Sequence, residues 1–331
     1  MKTLFCVCER AVYFDNHSCG HCGRQLAFDP VTLTMVAEAD VGAGLGYCSN
    51  RGSAIRCNWL AMRDADVCLS CATSKIIPTL SKPENHGRWR KLEQAKRRLI
   101  YELLWLELPV DPGRLRFSFK EDRRTNPDVQ DDHVSIGHAN GVITINAAEA
   151  DEVYREQMRQ QMNEPYRTLL GHFRHESGHY YFNVVVGDEL RGEARRLFGD
   201  ETTPYDAALQ RYYQNGPAPG WEERFISGYA SSHPAEDWAE CWAHYLHIRA
   251  VLEAANTTGL RAGVDVQNWQ TEFIELVIAI NEVLRSLGLP DAYPFVITSA
   301  IAEKIAFVHK TVMLFSDRLV SDRPGEPLAA S

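Results

Sequence analysis

The chain has 331 residues, of which 45% are hydrophobic and 24% are charged, enough for one large and one small globular domain. Its net charge of −9 argues against general nucleic-acid binding, and it contains no run of about 18 apolar residues that would predict a membrane-spanning helix. The short apolar start, which soon reaches Glu9, does not fit a signal peptide. We therefore expect a cytoplasmic protein, in which clustered cysteines bind metal rather than form disulfides.

The cysteines come first along the chain. Eight of the nine lie within the first 71 residues, which predicts a small cysteine-rich domain over residues 1–80. A tetrahedral zinc ion takes four thiolates at about 2.3 Å. The first candidate set of ligands is Cys6, Cys8, Cys19 and Cys22. The second set, whose first two members do not form a close pair, is Cys48, Cys57, Cys68 and Cys71. Buried free cysteines are the alternative, and it is stronger for the second set.

Closed four-sulfur sites are structural rather than catalytic, so the sequence predicts a double zinc ribbon that holds two structural zinc ions. A region this small needs such metal sites in order to fold. Zinc ribbons can recruit a protein partner or a nucleic acid. Residues 1–80 contain seven basic and seven acidic residues, and this neutral balance argues against nucleic acid.

A mostly helical domain is predicted over residues 81–331. Apolar residues three and four apart predict a first long helix from about residue 88, ending at Pro109. Alternating apolar and polar residues then predict strands over Leu115–Lys120 and Gly141–Asn146. Further helices are expected over about 149–185 with a break near Pro165, 234–256, 265–287 and 298–316. Helices with one small sheet indicate an α+β fold.

Two of these helices have clear ends in the sequence. Pro234 fits the first position of a helix, and Ser232 or His233 can cap it. Gly288 is a suitable stop for the helix over 265–287, because glycine readily adopts the left-handed conformation that ends many helices.

The first long helix also carries a basic stretch. Residues 81–100 contain seven basic and two acidic residues, and only this stretch supports a link to nucleic acid. The simpler interpretation is the solvated face of an amphipathic helix. The basic residues concerned are Arg88, Arg90, Lys91, Lys96, Arg97 and Arg98.

A five-residue motif, His175-Glu176-Ser177-Gly178-His179, lies inside the next helical segment. Residues four apart share one face of a helix, so both imidazoles can bind the same zinc ion. Glu176 between them can take a proton from a zinc-activated water and return it to the leaving amine of a cleaved peptide. Such a short pattern can also arise by chance, with two core histidines and a surface glutamate.

A catalytic zinc ion needs a third protein ligand, and the best candidates follow in S-S-H-P-A-E-D-W-A-E-C-W. Glu236 and Glu240 are one helical turn apart, so one can bind zinc while the other holds a ligand imidazole. We assign Glu236 to the metal and Glu240 to the supporting role, with the reverse left open. The nearby Trp238 and Trp242 indicate a buried helix rather than a solvated acidic face.

Three other side chains have candidate roles near this site. Tyr229, seven residues before Glu236, can donate to the oxyanion of the tetrahedral intermediate, and His233 competes for that role. Either could instead be an ordinary loop residue. His172, which lies on the motif face, is expected to be packed or hydrogen-bonded rather than to be a fourth ligand.

These motifs together resemble a known pattern. The pairing of H-E-S-G-H with Y-A-S-S-H-P-A-E-D-W-A-E resembles the gluzincin site and is similar to the catalytic domain of anthrax lethal factor. Over about residues 3–320, the chain resembles the bacterial family of zinc-binding metallopeptidases that carry an N-terminal zinc ribbon. The resemblance implies a zincin fold and peptidase activity. It implies that His175, His179 and Glu236 are zinc ligands, that Glu176 is the base and that Tyr229 is the oxyanion donor.

One departure from the pattern is Cys241, which follows Glu240 where a small or hydroxyl residue is expected. We expect a buried core cysteine rather than a competing ligand. In zincins, an edge strand upstream of the motif helix pairs with the substrate backbone. The segment Gly141–Asn146 is suitably placed to be that edge strand, but an ordinary strand is equally compatible with the sequence.

The sequence therefore predicts a zinc-dependent peptidase that acts on peptide or protein substrates. The alternative is an inactive zincin that serves as a zinc-ribbon scaffold for a protein partner. The intact Glu176 favours the enzyme, because a degenerate peptidase would be expected to lose its base.

Overall fold

The computed structural model describes residues 2–261, 263 and 268–321. In these residues the strands, numbered β1 to β10 in chain order, are Leu4–Phe5, Ala11–Val12, Leu26–Asp29, Thr34–Ala37, Leu45–Tyr47, Leu60–Met62, Ser74–Ile76, Arg116–Lys120, Gly137–Ala139 and Val142–Asn146. The α-helices of the same residues, numbered α1 to α9, are Leu69–Ala72, Pro83–Trp105, Glu152–Gln161, Leu169–Val185, Asp188–Phe198, Tyr205–Asn215, Pro234–Thr258, Trp269–Ser286 and Ser299–Ser321. A cysteine-rich ribbon region is followed by a mostly helical domain with a small sheet, which confirms the α+β prediction.

The cysteine-rich region is built from short antiparallel pairs of strands. Strand β1 pairs with β2, β3 with β4, and β5 with β6. Such small sheets bury little apolar surface, and an aromatic cluster supplies the missing core. Its rings, with centroids 4.8–6.1 Å apart, belong to Phe14, Phe28, Trp59 and Tyr101. Tyr101 lies on α2, so this helix completes the core of the ribbon region.

One four-stranded sheet has the strand order β7-β8-β10-β9. Strand β10 runs parallel to β8, with Ile143 opposite Phe117, and antiparallel to β9, with Ile143 opposite His138. Since β10 has a hydrogen-bonded neighbour on each side, the alternative in which Gly141–Asn146 forms a free edge for substrate is wrong, and the alternative of an ordinary strand is confirmed. It is an ordinary interior strand, and the short β9 occupies the edge.

The helix predictions are largely confirmed. The segment over 149–185 is broken between α3 and α4, on either side of Pro165, and Gly288 follows the end of α8 with a φ of +73°. The predicted start of α8 at residue 265 lies outside the described residues. Helices α5 and α6 were not predicted individually.

The basic stretch of α2 is only partly a solvated face. Lys96 and Arg97 are buried, contrary to the expectation from the sequence. Arg88 forms an ion pair with Asp151 at 2.7 Å, and Arg98 forms one with Asp15 at 2.8 Å. Most of this positive charge is therefore committed to contacts within the protein, which removes the sequence-based support for nucleic-acid binding.

The described residues fall into two compact units. One contains those within 1–102, 110–177 and 246–294, and the other contains those within 103–109, 178–245 and 295–331. The predicted division of the chain at residue 80 stays a prediction. Among the helices of the described residues, none combines the length and apolarity required to cross a membrane.

Candidate metal centres

The first four-cysteine set comes together in space. The sulfurs of Cys6 and Cys22 lie 3.6 Å apart, and those of Cys8 and Cys19 lie 3.7 Å apart. Backbone N–H groups of Cys22 and His21 lower the pKa of the Cys19 thiol to about 6. These N–H groups therefore favour the thiolate of Cys19, which is the form that binds metal.

The second set is more deeply enclosed, since all four of its cysteines are buried. The sulfurs of Cys57 and Cys68 are 3.7 Å apart, and the N–H of Cys68 donates to the sulfur of Cys48 at 3.3 Å. Cys68 also caps the short helix α1, because its sulfur accepts a hydrogen bond from the N–H of Cys71. Cys68, a candidate ligand, thus caps the helix that carries the next candidate ligand, Cys71.

Both sets have the dimensions of a zinc site. Four sulfurs placed tetrahedrally around zinc at 2.3 Å are about 3.8 Å apart. The observed separations of 3.6–3.7 Å are close to that value. Within each set, the four sulfurs all lie within 4.8 Å of one another.

The third group joins the motif helix to the following acidic segment. His175 and His179 are one turn apart on α4, and Glu236 lies in the first turn of α7. His179 Nε2 is 3.4 Å from Glu236 Oε1. Two tetrahedral ligands that each lie about 2.1 Å from zinc have this same separation, about 3.4 Å. One donor atom of each residue lies within 4.8 Å of the other two. Two imidazoles and one carboxylate are a donor set that suits catalytic zinc.

Glu236 has a contact that the sequence did not indicate. Its side chain is buried, and the hydroxyl of Tyr205 donates to its Oε1 at 2.5 Å. Tyr205 begins helix α6, 31 residues before Glu236, and no spacing rule relates the two positions. This hydrogen bond fixes the oxygen that faces His179.

Glu236, and not Glu240, is the carboxylate of the third group that the described residues form. The hydroxyl of Ser227 donates to Glu240 Oε2 at 2.7 Å. This contact ties α7 to the loop that precedes it.

The predicted base, Glu176, is buried within α4. The residues before it anchor the helix: Arg174 makes two hydrogen bonds to Glu102, at 2.9 and 2.5 Å, in a buried ion pair. The hydroxyl of the buried Ser177 donates to the carbonyl of Arg174 at 2.7 Å. Separating the two partners would leave an uncompensated buried charge, which is strongly unfavourable. The ion pair therefore holds α4 at Glu102 of α2.

Gly178 of the motif marks a close approach between α4 and α7. A Cβ at this position would lie 2.9 Å from the Cα of Ala239 and 3.1 Å from Trp242, both of which are buried. The indole of Trp238 donates to the Gly178 carbonyl at 2.9 Å. The glycine therefore lets the helix that carries His179 contact the helix that carries Glu236.

The N-terminus of α7 is capped by His233. Its Nδ1 accepts from the N–H of Ala235 at 3.0 Å, and its Nε2 pairs with the carbonyl of Thr203 at 2.9 Å. His233 is buried and engaged at both ring nitrogens, which argues against it as the oxyanion donor. Tyr229 begins the 3-10 turn Tyr229–Ser232 that leads into α7, and its ring packs edge-on against Tyr212.

A buried polar cluster lies beside Glu236 on α7. Asp237 forms an ion pair with Lys304 at 2.5 Å, and Lys304 also donates to the carbonyl of Arg224 at 2.7 Å. Burial raises the pKa of Asp237 to about 7, although Lys304 acts in the opposite direction. Cys241 is fully buried, as expected, and burial raises the pKa of its thiol.

His172 has a partner other than the metal group. Its Nε2 is 3.2 Å from Oε2 of the buried Glu149, which also pairs with Arg167 at 2.5 Å. Burial by itself would raise the pKa of Glu149, but His172 and Arg167 outweigh this effect and hold it at about 2. His172 is therefore a hydrogen-bonded residue, as expected from the sequence.

Comparison with known proteins adds family information. A family model described as "Putative zinc-binding metallo-peptidase" matches residues 85–311, and one described as a zinc-ribbon domain matches residues 4–82. Similar curated proteins include one from Mycobacterium tuberculosis and one from Mycobacterium bovis, both described only as uncharacterised. Each is 39% identical over 334 residues, which covers 94% of this chain and 95% of the relative. No solved structure matches the chain.

Proposed function

Because this chain belongs to the family of zinc-binding metallo-peptidases and carries a zinc-ribbon domain, we propose that it is an active zinc-dependent peptidase. In this proposal the helical domain is zincin-like, the site is of the gluzincin type, and the protein acts in the cytoplasm. It holds one catalytic zinc ion and two structural ones. The observation that carries the proposal is the group formed by His175, His179 and Glu236, with Glu176 on the same helix as the two histidines.

The donor chemistry supports a catalytic rather than a structural ion at this group. Three protein ligands leave a fourth position for water or substrate, whereas each four-cysteine set is closed. When bound there, zinc lowers the pKa of a coordinated water and polarises the scissile carbonyl. His175 and His179 each provide an imidazole nitrogen, and Glu236 provides a carboxylate that Tyr205 orients.

Glu176 serves as the general base and then as the general acid. Glu176 is three residues before His179, so the two side chains are neighbours on the surface of α4. Its carboxylate accepts a proton from the attacking water and delivers it to the nitrogen of the leaving amine. The buried Arg174–Glu102 ion pair, directly before the motif, holds the helix in place for this transfer.

Two tyrosines are assigned different roles. We assign Tyr229 as the hydrogen-bond donor to the oxyanion, because it lies on the turn that leads into α7, the helix that carries Glu236. Tyr205 is a positioning residue, since its hydroxyl is already committed to Glu236 at 2.5 Å. Substituting each tyrosine with phenylalanine separates these roles.

The substrate class that fits this chemistry is a peptide or protein, and the ribbon region is proposed to bind a protein partner. Phe5, Tyr13 and Val31 expose 53%, 83% and 73% of their surfaces in the ribbon region. A protein partner that bound this region would cover such apolar side chains. The structure offers no comparable support for nucleic acid, since the basic residues of α2 are largely engaged within the chain.

The proposal is tested with Glu176→Gln in the full-length chain, incubated with a mixed peptide library that is analysed by mass spectrometry. The variant should keep the zinc content of the wild type and lose peptide cleavage by at least about a hundredfold. Glu156→Gln, a solvent-exposed change on α3, is the matched control and should cleave normally. Cleavage that persists in Glu176→Gln would refute the assigned base. A zinc-loaded wild type that cleaves no peptide would instead favour the scaffold alternative.

A further inference from the structure

The second four-cysteine site leads directly into the four-stranded sheet. The chain leaves Cys71 at the end of α1, and two residues later the carbonyl of Thr73 accepts a hydrogen bond from the N–H of Phe117 at 2.8 Å. Ser74 then pairs with Phe117 as β7 runs parallel to β8. A displacement of Cys71 is therefore transmitted to the sheet over only two residues of backbone.

A buried charge fastens the other side of β7. Lys96 on α2 has a side-chain exposure of 0% and pairs with Glu93 at 2.9 Å. Its ammonium also donates to the hydroxyl of Ser74, and that hydroxyl donates to Glu93 at 2.6 Å. Three buried or half-buried polar groups thus satisfy one another around the first residue of β7, an arrangement that tolerates little movement.

The ammonium of Lys96 also lies close to a phenylalanine layer, formed by Phe117 and Phe119, that packs against the motif helix. The ammonium lies 5.7 Å from the ring centre of Phe117 and 5.8 Å from that of Phe119. Both rings pack against Phe173, at 5.6 and 6.0 Å, and Phe173 lies on α4 two residues before His175. All of these residues belong to one compact unit.

The first four-cysteine site lacks such a connection in the described residues. Its strands form only two-stranded sheets, and none of them joins the sheet that contains β8. Cys22 is exposed and Cys8 is half-buried, whereas the second site is entirely buried. The two sites thus differ in what their ligands are attached to.

We infer that the second four-cysteine site and Lys96 are positioning elements of the proposed catalytic centre, because they hold β7 and the phenylalanine layer beneath the motif helix. This inference rests on the proposed function of the His175, His179 and Glu236 group. Loss of a ligand at the second site should loosen β7 and β8 and weaken metal binding at that group. Loss of a ligand at the first site should have a smaller effect.

The test compares variants of the full-length chain at the third metal group. Lys96→Met keeps every metal ligand and removes only the buried charge, and Lys91→Met on the exposed side of α2 is its control. Zinc affinity at the histidine group, measured by chelator competition, should fall about tenfold in Lys96→Met and stay unchanged in Lys91→Met. Hydrogen exchange should rise in β7, β8 and the start of α4.

Cysteine variants extend the same measurement. Cys71→Ser should weaken the third group by about tenfold or more and raise exchange in β7 and β8, and Cys22→Ser should do so less. Equal effects of the two cysteine variants, or wild-type affinity and exchange in Lys96→Met, would overturn the inference. If the wild type binds no zinc at the histidine group, the proposed function fails, and exchange in β8 and α4 still tests the coupling by itself.

Discussion

Gly178→Ala tests whether the close contact between α4 and α7 shapes the proposed metal centre. The added methyl group would lie 2.9 Å from the Cα of Ala239, a backbone atom that can retreat only if α7 moves. It would also lie 3.1 Å from two atoms of the buried Trp242. Ordinary contacts of this kind begin near 3.4 Å, so α7 must move by roughly half an ångström or more.

Two effects of opposite sign set the magnitude. Overpacking of a buried contact costs about 1–3 kcal/mol, whereas alanine is favoured over glycine inside a helix by about 1 kcal/mol. The overpacking should win because the clash is with backbone, which leaves a net loss of up to roughly 2 kcal/mol. The lost contact also lies between His179 and the helix that carries Glu236, so zinc affinity at that group should fall.

The assay is thermal unfolding together with zinc competition, and a second glycine provides the control. Gly192 lies inside α5, where a Cβ would meet no atom within 4 Å. Gly192→Ala should therefore raise Tm through helix propensity alone, whereas Gly178→Ala should lower it by up to roughly 3 °C. If both variants raise Tm and keep zinc affinity, the helix contact does not have the role assigned to it.

Two further predictions concern positioning and pH. Tyr205→Phe should lower zinc affinity at the third group by about tenfold, because Glu236 loses its orienting hydrogen bond. Tyr229→Phe should keep zinc affinity and lose peptide hydrolysis. Chelator competition measures the affinity and peptide cleavage measures the activity; the reverse pattern would exchange the two roles. Glu149, whose pKa is held at about 2, should contribute about 3 kcal/mol of stability above pH 4.5. Because its pKa is depressed in the folded state, this contribution is lost as the pH falls from 4.5 towards 2. Glu149→Gln should flatten the fall in Tm over this range. Glu156→Gln should leave it unchanged, because Glu156 is fully exposed and solvent screens its pairing with Arg159, although that pairing also lowers the pKa of Glu156.

Local signals explain what the sequence could predict. The helix over 234–256 was expected from Pro234 and a preceding cap, and His233 indeed caps α7. The break near Pro165 and the stop at Gly288 depend on the backbone of single residues, so they were also predictable. The cysteine sets could be proposed because ligands on one turn are close in the chain.

Non-local contacts explain what the sequence could not predict. The Tyr205–Glu236 hydrogen bond joins residues 31 positions apart, and no periodicity relates them. The strand Gly141–Asn146 could not be assigned to the interior of the sheet, because β9 is only three residues long and has no alternating pattern. The buried Lys96 and Arg97 resembled surface residues, since their partners are set by tertiary packing.

The ribbon region illustrates both cases within a few residues. The pair Cys68 and Cys71 indicated a metal site from its spacing alone. The entry of the following residues, Ser74–Ile76, into the sheet beside β8 could not be inferred, because parallel pairing depends on a partner more than forty residues away. The sequence therefore indicated the cysteine pair and the strand β8 separately. Their connection through β7 depends on tertiary structure.

The most direct test of the account is the zinc content of the purified full-length chain, compared with that of His179→Ala. Elemental analysis should give three zinc ions per chain for the wild type, one for each group of donor atoms. The variant should hold two, both in the cysteine sites, because one of the three ligands of the remaining group is gone. A wild type with only two zinc ions, or a variant that keeps all three, would contradict the assignment of His175, His179 and Glu236 to a catalytic metal.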